Sequence, residues 1–282
     1  MKITATTQLY GIVGDPIRHS RSPRMHNLAL EQAGIDGVFL AFQGNTSNIE
    51  DVIKAFRVLD VRGGSVTMPV KSAAAGLMDR LSREARLIGA INVFKNEDGQ
   101  FVGYNTDGMG FVMMLEEHSI PYKGKRVVQA GVGGAGRAVA VQMALSGVSE
   151  LVLCDLDEEK AKQTAELICQ DIPECKASAC KADEESLRSQ LMEGTDIYVD
   201  CTPLGMPPWE EQAMLSSFDG IPKELTVVDI CYAPPKTRLL QMAEEHGCRI
   251  LNGMDMMFNQ GAKAFEIWTG RPMPLDYVKE HF

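Results

Sequence analysis

Four short segments in the first third of the chain carry hydroxyls, amides, one lysine and one carboxylate. They are Gly-Asp-Pro-Ile-Arg-His-Ser-Arg-Ser-Pro at residues 14–23, Ser-Val-Thr-Met-Pro-Val-Lys at 65–71, Ile-Asn-Val at 91–93 and Tyr-Asn-Thr-Asp-Gly at 104–108. Each lies at the end of a predicted strand, in a turn or at a helix start. Together they could bind a polyhydroxylated acid, and a lysine near a carboxylate could exchange the proton of an alcohol as it is oxidised.

A glycine-rich segment predicts a second site, for a dinucleotide. It follows a predicted strand at 126–130 and opens a predicted helix at 137–145. Gly131 permits a tight turn, Gly133 lets the backbone approach a pyrophosphate, and Gly136 allows close helix–strand packing. The residues expected at the cofactor are Gly131, Val132, Gly133, Gly134, Ala135 and Gly136. The alternative is an ordinary glycine-rich turn between a strand and a helix.

An acidic residue after the next strand bears on which cofactor is used. Asp155 stands near the place expected for a ribose-binding acid, about 20 residues beyond the glycines. Its carboxylate would accept hydrogen bonds from the adenosine ribose and repel a 2′-phosphate, which favours NAD over NADP. Lys160 and Lys162 lie nearby and would act in the opposite sense. The alternative role for Asp155 is a helix N-cap, which Asp157 could fill equally well.

Composition limits the class of protein. The 282 residues, 45% of them hydrophobic, suffice for one large or two ordinary domains. A net charge of −10 argues against nucleic acid or an anionic membrane as a main partner. We see no signal peptide or membrane-spanning apolar run, so we expect a soluble, cytoplasmic protein. Seven cysteines without a Cys-x-x-Cys pair predict reduced, buried thiols rather than disulfides, and no metal site is predicted.

Strand-like apolar runs alternate with helical patterns along the chain. The predicted strands are 9–13, 38–42, 64–67, 126–130, 151–154, 197–201 and 226–230. The predicted helices are 23–33, 48–58, 137–145, 158–169 and 254–269, with Ser22 as the N-cap of the first. This alternation predicts parallel or mixed sheets covered by helices, which is an α/β fold.

Taken in order, the motifs resemble the shikimate/quinate dehydrogenase family over nearly the whole chain. The matching residues are Gly14-x-Pro16-Ile17-x-His19-Ser20-x-Ser22-Pro23-x-x-His26-Asn27, Ser65-Val66-Thr67-x-Pro69-x-Lys71, Gly89-Ala90-Ile91-Asn92, Asn105-Thr106-Asp107-Gly108, Thr202-Pro203-Leu204-Gly205-Met206, Asp229-x-x-Tyr232-x-Pro234-x-x-Thr237, Gly253 and Gln260-Gly261-Ala262. Each motif is short, but the ordered set is specific.

The resemblance implies a two-domain α/β enzyme with its substrate in the cleft. Residues 1–107 plus 253–282 would form an N-terminal α/β substrate domain, and 108–252 a Rossmann-like, doubly wound dinucleotide-binding domain. The implied partner is a hydroxylated cyclic carboxylic acid. The implied reaction is reversible NAD(P)-dependent hydride transfer between shikimate and 3-dehydroshikimate.

The resemblance also implies roles for particular residues. Lys71 and Asp107 would be the catalytic pair, although a solvated lysine at a helix start is the default for a lone lysine. The implied substrate-binding residues are Ser20, Ser22, Thr67, Lys71, Asn92, Asp107, Tyr232 and Gln260. Further cofactor contacts would come from Thr202, Leu204, Ile230 and Gly253.

Departures from the family pattern leave alternatives open. Ser65, Asp200 and Ala233 stand where the family usually has Asn, and Cys154-Asp155-Leu156 replaces the Asn-Arg-Thr of NADP-dependent members. The lost arginine agrees with NAD preference. The alternatives are a quinate or aminoshikimate dehydrogenase, a non-catalytic ligand sensor on the same fold, and a folate-linked dehydrogenase. The oligomeric state and the biosynthetic or catabolic role are not readable from the sequence.

Overall fold

The computed structural model describes residues 2–282 and contains two compact units. The first unit comprises the described residues up to Gly110 together with Phe258–Phe282, and the second unit is Phe111–Met257. The sequence analysis put the divisions at 107/108 and 252/253. In the structure the divisions follow Gly110 and Met257, which lie inside the helices Asp107–Glu117 and Met254–Thr269.

The first unit is built on a mixed six-stranded sheet in the order β2-β1-β3-β5-β6-β4. Its strands are β1 Gln8–Gly14, β2 Gly37–Gln43, β3 Gly63–Val66, β4 Arg80–Leu81, β5 Val93–Glu97 and β6 Gln100–Tyr104. β1 pairs in parallel with β2 and β3, whereas β5 is antiparallel to both β3 and β6. The β5–β6 hairpin closes at Asp98 and Gly99, both at positive φ, the conformation that such tight turns require.

The helices of this unit are α1 Ser22–Gln32, α2 Ile49–Val58, α3 Lys71–Ala75, α4 Arg83–Ile88 and α11 Leu275–His281, together with the start of α5 Asp107–Glu117 and most of α10 Met254–Thr269. The prediction of Ser22 as the N-cap of α1 is wrong. Arg21 already has helical dihedral angles and takes the cap position, so Ser22 is the first helical residue and its side chain caps nothing.

Aromatic side chains fill the core of the first unit. Phe94 stacks on Phe56 and on Phe101, with ring centroids 5.8 and 5.0 Å apart. His26 is fully buried and packs against Phe39 and Trp268 at 4.6 and 4.8 Å. Burial lowers the pKa of His26 to about 3, so this histidine is a neutral packing residue.

The second unit is built on an all-parallel sheet in the order β12-β11-β10-β7-β8-β9. Its strands are β7 Arg126–Ala130, β8 Glu150–Asp155, β9 Lys176–Lys181, β10 Ile197–Asp200, β11 Thr226–Asp229 and β12 Arg249–Asn252. Its helices include α6 Gly134–Leu145, α7 Glu158–Asp171, α8 Glu184–Met192 and α9 Arg238–His246. Strands β7, β8 and β10 are almost wholly buried, as expected for parallel strands covered on both faces. Within residues 2–282, no helix combines the length and apolar character needed to span a bilayer.

One prediction about the cysteines is wrong. The structure pairs Cys154 with Cys180 as a disulfide, and the other five cysteines are free. The two residues occupy directly paired positions of β8 and β9, which brings their Cα atoms to 4.7 Å. The sequence does not reveal that these two cysteines are neighbours, because their contact depends on the pairing of β8 with β9 and on the register of that pair.

Candidate active site and dinucleotide site

In the first unit, one edge of the sheet collects the polar segments. The parallel strands β1 and β3 end there, followed by the serine loop and by Thr67. β5 runs antiparallel to β3, so its first neighbour, Asn92, lies at the same edge. β6 runs antiparallel to β5 and ends there, which brings Asp107 to Asn92. The strand directions alone therefore gather residues that are far apart in the sequence.

At this edge, Lys71 and Asp107 form an ion pair. Lys71 Nζ lies 2.6 Å from Asp107 Oδ2, and the two side chains are only 21% and 12% exposed. The other carboxylate oxygen of Asp107 accepts a hydrogen bond of 2.7 Å from the Asn92 amide. Lys71 is the first residue of the short helix α3, and its carbonyl accepts the Ile91 N–H, which ties the lysine to the segment that carries Asn92.

A buried hydrogen-bond network fixes the Asn92 side chain. Its carbonyl oxygen accepts the Thr106 N–H at 2.7 Å, and its amide also donates to Thr106 Oγ1 and, more weakly, to Gln260 Oε1. Thr106 in turn donates to the Gln260 carbonyl at 3.0 Å. Asn105 Oδ1 accepts the Asp107 N–H and so fixes the start of α5. The sequence analysis assigns no individual role to Asn105 or Thr106, and their contacts identify them as positioning residues for this cluster.

The predicted hydroxyl residues of the first unit lie at the same sheet edge. Ser20 and Ser22 are half-buried at the start of α1, and Ser20 Oγ accepts the Ser22 N–H at 3.3 Å. Thr67 directly follows β3, and its N–H donates to the Val13 carbonyl. A Cβ at Gly14 would meet the Thr67 methyl at 2.3 Å, so the chain requires glycine there to keep Thr67 in place. Tyr232 belongs to the second unit and is 37% exposed.

In the second unit, the glycine-rich segment forms a tight turn between β7 and α6. Gly131 has a φ of +84°, and a Cβ there would meet the Cys201 carbonyl carbon at 2.8 Å. A Cβ at Gly136 would meet the Gly131 oxygen at 2.2 Å, so α6 approaches the loop as closely as a glycine allows. By contrast, a Cβ at Gly133 or Gly134 would have no heavy atom within 4 Å. The N-terminus of α6, which begins at Gly134, is therefore open to an anion.

Asp155 connects this loop to β8. Its carboxylate accepts the Val132 N–H at 2.6 Å and the Asp157 N–H at 3.0 Å. Asp157, rather than Asp155, caps α7 by accepting the Lys160 N–H. Asp155 also lines a cavity of about 370 Å³. The residues that line it are Gly131, Gly133, Asp155, Leu156, Lys160, Ala182, Cys201, Thr202, Pro203, Leu204, Trp209 and Met214.

The remaining predicted cofactor residues divide into two groups. Thr202 and Leu204 line the cavity, and the Leu204 N–H donates to Thr202 Oγ1. Ile230 and Gly253 lie outside its lining. A Cβ at Gly253 would meet the Ile230 oxygen at 1.9 Å, so the contact between these two residues is one of close backbone packing. The cavity also contains Trp209, Lys160 and Met214 as lining residues that the glycine motif does not indicate.

Two buried carboxylates stand side by side at the end of this sheet. Asp200 and Asp229 are register partners of β10 and β11 and are 2% and 1% exposed. Asp200 accepts hydrogen bonds from Tyr198 Oη and the Thr202 N–H, and Asp229 accepts them from Thr237 Oγ1 and the Cys231 N–H. Burial raises the pKa of Asp200. Burial and then the charge of Asp200 raise the pKa of Asp229 to about 7.

These observations define a class of protein. A parallel sheet with a glycine turn opening a helix, and a strand-end carboxylate beside it, is the arrangement that binds dinucleotides. A lysine–carboxylate pair among hydroxyls and amides suits proton exchange with an alcohol. The fold and the two sites are those of a dinucleotide-dependent oxidoreductase that acts on a polar small molecule.

Comparison with known proteins identifies the family. The family model "Shikimate dehydrogenase substrate binding domain" matches residues 12–94, and "Shikimate 5'-dehydrogenase C-terminal domain" matches residues 253–281. A protein of Alkaliphilus metalliredigens named shikimate dehydrogenase (NADP(+)) is 45% identical over 99% of this chain and 97% of its own length. The chain therefore belongs to the shikimate dehydrogenase family.

Solved structures agree with this assignment. Shikimate 5-dehydrogenase from Listeria monocytogenes, in complex with shikimate and NAD, is 42% identical, with a TM-score of 0.96 over 100% of this chain and 98% of that one. Quinate dehydrogenase from Corynebacterium glutamicum, in complex with NAD, is 29% identical, with a TM-score of 0.89 over 97% and 98%. The mixed α/β fold with a Rossmann-like unit, predicted from the sequence, is confirmed.

Proposed function

We propose that the protein is a shikimate dehydrogenase that transfers hydride reversibly between the ring alcohol of shikimate and NAD, with 3-dehydroshikimate as the oxidised product. The observation that carries the proposal is the Lys71–Asp107 ion pair of 2.6 Å, held by Asn92 among hydroxyl-bearing residues. Membership of the shikimate dehydrogenase family supports the choice of substrate.

Lys71 is the proposed proton-transfer residue. Oxidation of the alcohol breaks two bonds. The hydrogen of the C–H bond leaves as hydride, and the hydrogen of the O–H bond leaves as a proton that needs an acceptor. The nicotinamide of the bound cofactor supplies the hydride acceptor. Lys71 Nζ, as the neutral amine, takes up the hydroxyl proton and becomes an ammonium group, and in the reverse reaction the ammonium returns that proton to the carbonyl oxygen. Asp107 orients the ammonium group through Oδ2, while Asn92 fixes its other oxygen, so the pair is positioned before the substrate arrives.

The hydroxyl and amide residues are the proposed substrate contacts. Ser20 Oγ accepts the Ser22 N–H and keeps its own proton for a substrate carboxylate, and Ser22 adds a second hydroxyl donor. Thr67, Asn92 and Gln260 would bind ring hydroxyls or the carbonyl. Two compact serines suit shikimate, whereas the extra hydroxyl of quinate needs more space beside the carboxylate.

The second unit fits a dinucleotide on its own geometry. The glycine turn leaves open space at Gly133 and Gly134, where α6 presents its unpaired N–H groups. A pyrophosphate would be held by these N–H groups, and the adenosine ribose by Asp155. The Asp155 carboxylate would repel a 2′-phosphate, whereas Lys160, which lines the same cavity, would attract one. We propose that repulsion of a 2′-phosphate by Asp155 outweighs its attraction by Lys160, so that NAD is preferred over NADP.

Initial rates with shikimate or quinate, each crossed with NAD and NADP, test the proposal. We expect the highest kcat/KM with shikimate and NAD, with NAD favoured over NADP by roughly tenfold or more, equivalent to about 1.4 kcal/mol. A response to quinate alone would overturn the assignment of Ser20 and Ser22. Shikimate binding without turnover in any combination would favour the ligand sensor.

The double variant Asp155→Asn with Leu156→Arg tests the cofactor preference. It removes the repelling carboxylate and adds a guanidinium that can pair with a 2′-phosphate. We expect the NAD/NADP ratio of kcat/KM to fall by roughly 100-fold, an effect of about 2.7 kcal/mol. Lys160→Ala is the matched control, since it is expected to lower NADP use alone. Wild-type activity confined to NADP would contradict the proposed preference.

A further inference from the structure

An exposed tryptophan lines the cavity beside the glycine turn. Trp209 is 42% exposed, in a loop whose neighbours are the prolines 207 and 208 and the glutamates 210 and 211. An indole offers a large flat apolar face together with an N–H donor, a combination that is enriched at interfaces. The other tryptophan, Trp268, is buried in the first unit, where its Nε1 donates to the Phe94 carbonyl.

The loop holds the backbone of Trp209 firmly although the ring is exposed. The Trp209 carbonyl accepts the Gly205 and Gln212 N–H groups at 2.9 and 3.0 Å, and its own N–H donates to the Met206 carbonyl at 2.6 Å. Gly205 has a φ of +87°, and a Cβ there would meet the Thr237 side chain at 2.8 Å. The base of the loop is therefore packed against the start of α9, and the indole is presented from a fixed backbone.

The cavity combines a few polar groups with apolar walls. Asp155 and Lys160 supply charge, and Leu156, Leu204 and Met214 join Trp209 as the larger apolar members. Leu156 is 83% exposed, so it is a second uncovered apolar side chain in the same cavity. An apolar and aromatic lining with a small number of polar groups is typical of small-molecule and cofactor sites.

The position of the cavity indicates which half of the cofactor it receives. Leu156 and Lys160 follow β8, and Ala182 follows β9, on the side of the sheet that carries the proposed ribose-binding Asp155. In such folds the adenosine lies on this side and the pyrophosphate lies at the helix that follows the glycine turn. The apolar part of the cavity is therefore suited to the adenine base.

We propose that Trp209 stacks on the adenine of the bound dinucleotide and sets cofactor affinity. This inference rests on the proposed function, because it requires that a dinucleotide binds the second unit. An adenine base can stack on any aromatic ring, so Trp209→Phe should retain most of the stacking and Trp209→Ala should lose it. For Trp209→Ala we expect the Kd for NAD to rise roughly 5- to 150-fold.

Binding of two fragments tests this proposal. ADP-ribose contains the adenine but lacks the nicotinamide, whereas nicotinamide mononucleotide contains the nicotinamide but lacks the adenine. By calorimetry, Trp209→Ala is expected to weaken NAD and ADP-ribose by the same factor and to leave nicotinamide mononucleotide unchanged. Trp209→Phe is expected to bind both adenine ligands within about fivefold of the wild type, the low end of the stacking range. Glu210→Ala, a neighbouring exposed residue of the same loop, is the control and should bind like the wild type.

Tryptophan fluorescence gives a readout that a purely structural role would not change. ADP-ribose should quench the wild-type emission by stacking on Trp209. It should leave the emission of Trp209→Phe, which comes from Trp268 alone, unchanged. A wild-type Kd for ADP-ribose in Trp209→Ala would overturn the role of Trp209 and leave the proposed function intact. Failure of the wild-type protein to bind either NAD or ADP-ribose would overturn the proposed function and this inference with it.

Discussion

The two units each place acidic side chains at the edge of a sheet, and they compensate the charge differently. In the first unit, Asp107 has Lys71 at one oxygen and the Asn92 amide at the other. In the second unit, Asp200 and Asp229 lie side by side with only neutral donors around them. Asp107 therefore has a cationic partner, whereas burial raises the pKa of Asp200, and burial and then the charge of Asp200 raise the pKa of Asp229.

The two carboxylate sites also differ in their access to solvent, and this difference separates a catalytic role from a structural one. The Lys71 and Asp107 side chains are partly exposed, so a substrate can contact them and exchange a proton with the lysine. Asp200 and Asp229 are buried and bond the backbone of Thr202 and Cys231, which begin the loops after β10 and β11. They hold loops, and because burial raises the pKa of both carboxylates, we expect the stability of this unit to depend on pH.

Removing the lysine should have the largest effect. Lys71→Ala deletes the proposed proton acceptor, so we expect kcat for shikimate oxidation to fall by roughly 10²- to 10⁴-fold, while NAD binding persists. Steady-state rates and calorimetry measure the two quantities. Lys54→Ala, an exposed lysine of the same unit that pairs with Glu50, is the control and should retain wild-type rates. Turnover that survives the loss of Lys71 would assign the proton transfer to another group.

The Asn92 network should contribute mainly to stability and orientation. Asn92→Ala leaves the buried Thr106 N–H without its acceptor and removes one donor from Asp107. We expect a loss of about 1–3 kcal/mol in the free energy of unfolding, together with a lower kcat because Asp107 is less well oriented. Urea denaturation and rates on the folded variant separate these effects. An unfolding free energy equal to that of the wild type would show that the network is not needed to hold this edge.

The carboxylate pair of the second unit should give the smallest effect, visible as a function of pH. The folded-state pKa of Asp229 is about 7, above its ordinary 3.8, so the folded chain binds more protons between these values. The stability from this group is complete below about pH 4 and is lost as the pH rises to about 7. Asp200→Asn removes the charge of Asp200 that helps to raise the pKa of Asp229.

We expect this variant to lose less stability between pH 5 and pH 8 and to be more stable than the wild type at pH 8, by on the order of 1 kcal/mol. Urea denaturation across this pH range provides the measurement. Asp219→Asn removes an exposed carboxylate from the same unit and should leave the slope unchanged. An identical pH slope in the wild type and Asp200→Asn would contradict charge coupling between the two carboxylates.

Local chemistry made part of the fold predictable. β7 matches the predicted 126–130 and α10 the predicted 254–269, because strong apolar periodicity and clear end signals define both. The hairpin of β5 and β6 was not predicted, although its antiparallel course brings Asp107 to Asn92. The segment has a short turn and mixed polarity, and its pairing is set by the neighbouring strand β3 rather than by its own pattern.

By itself, the sequence determined the α/β class, the glycine turn and the residues that could carry chemistry, because these depend on side-chain type and local periodicity. Only the tertiary structure decided that Asp107 bonds Lys71 and Asn92 together, that Cys154 meets Cys180, and that Trp209 lines the cavity of the glycine turn. Each of these neighbourhoods depends on strand order, direction and register. Those features are set by the packing of the whole sheet, which no local segment encodes.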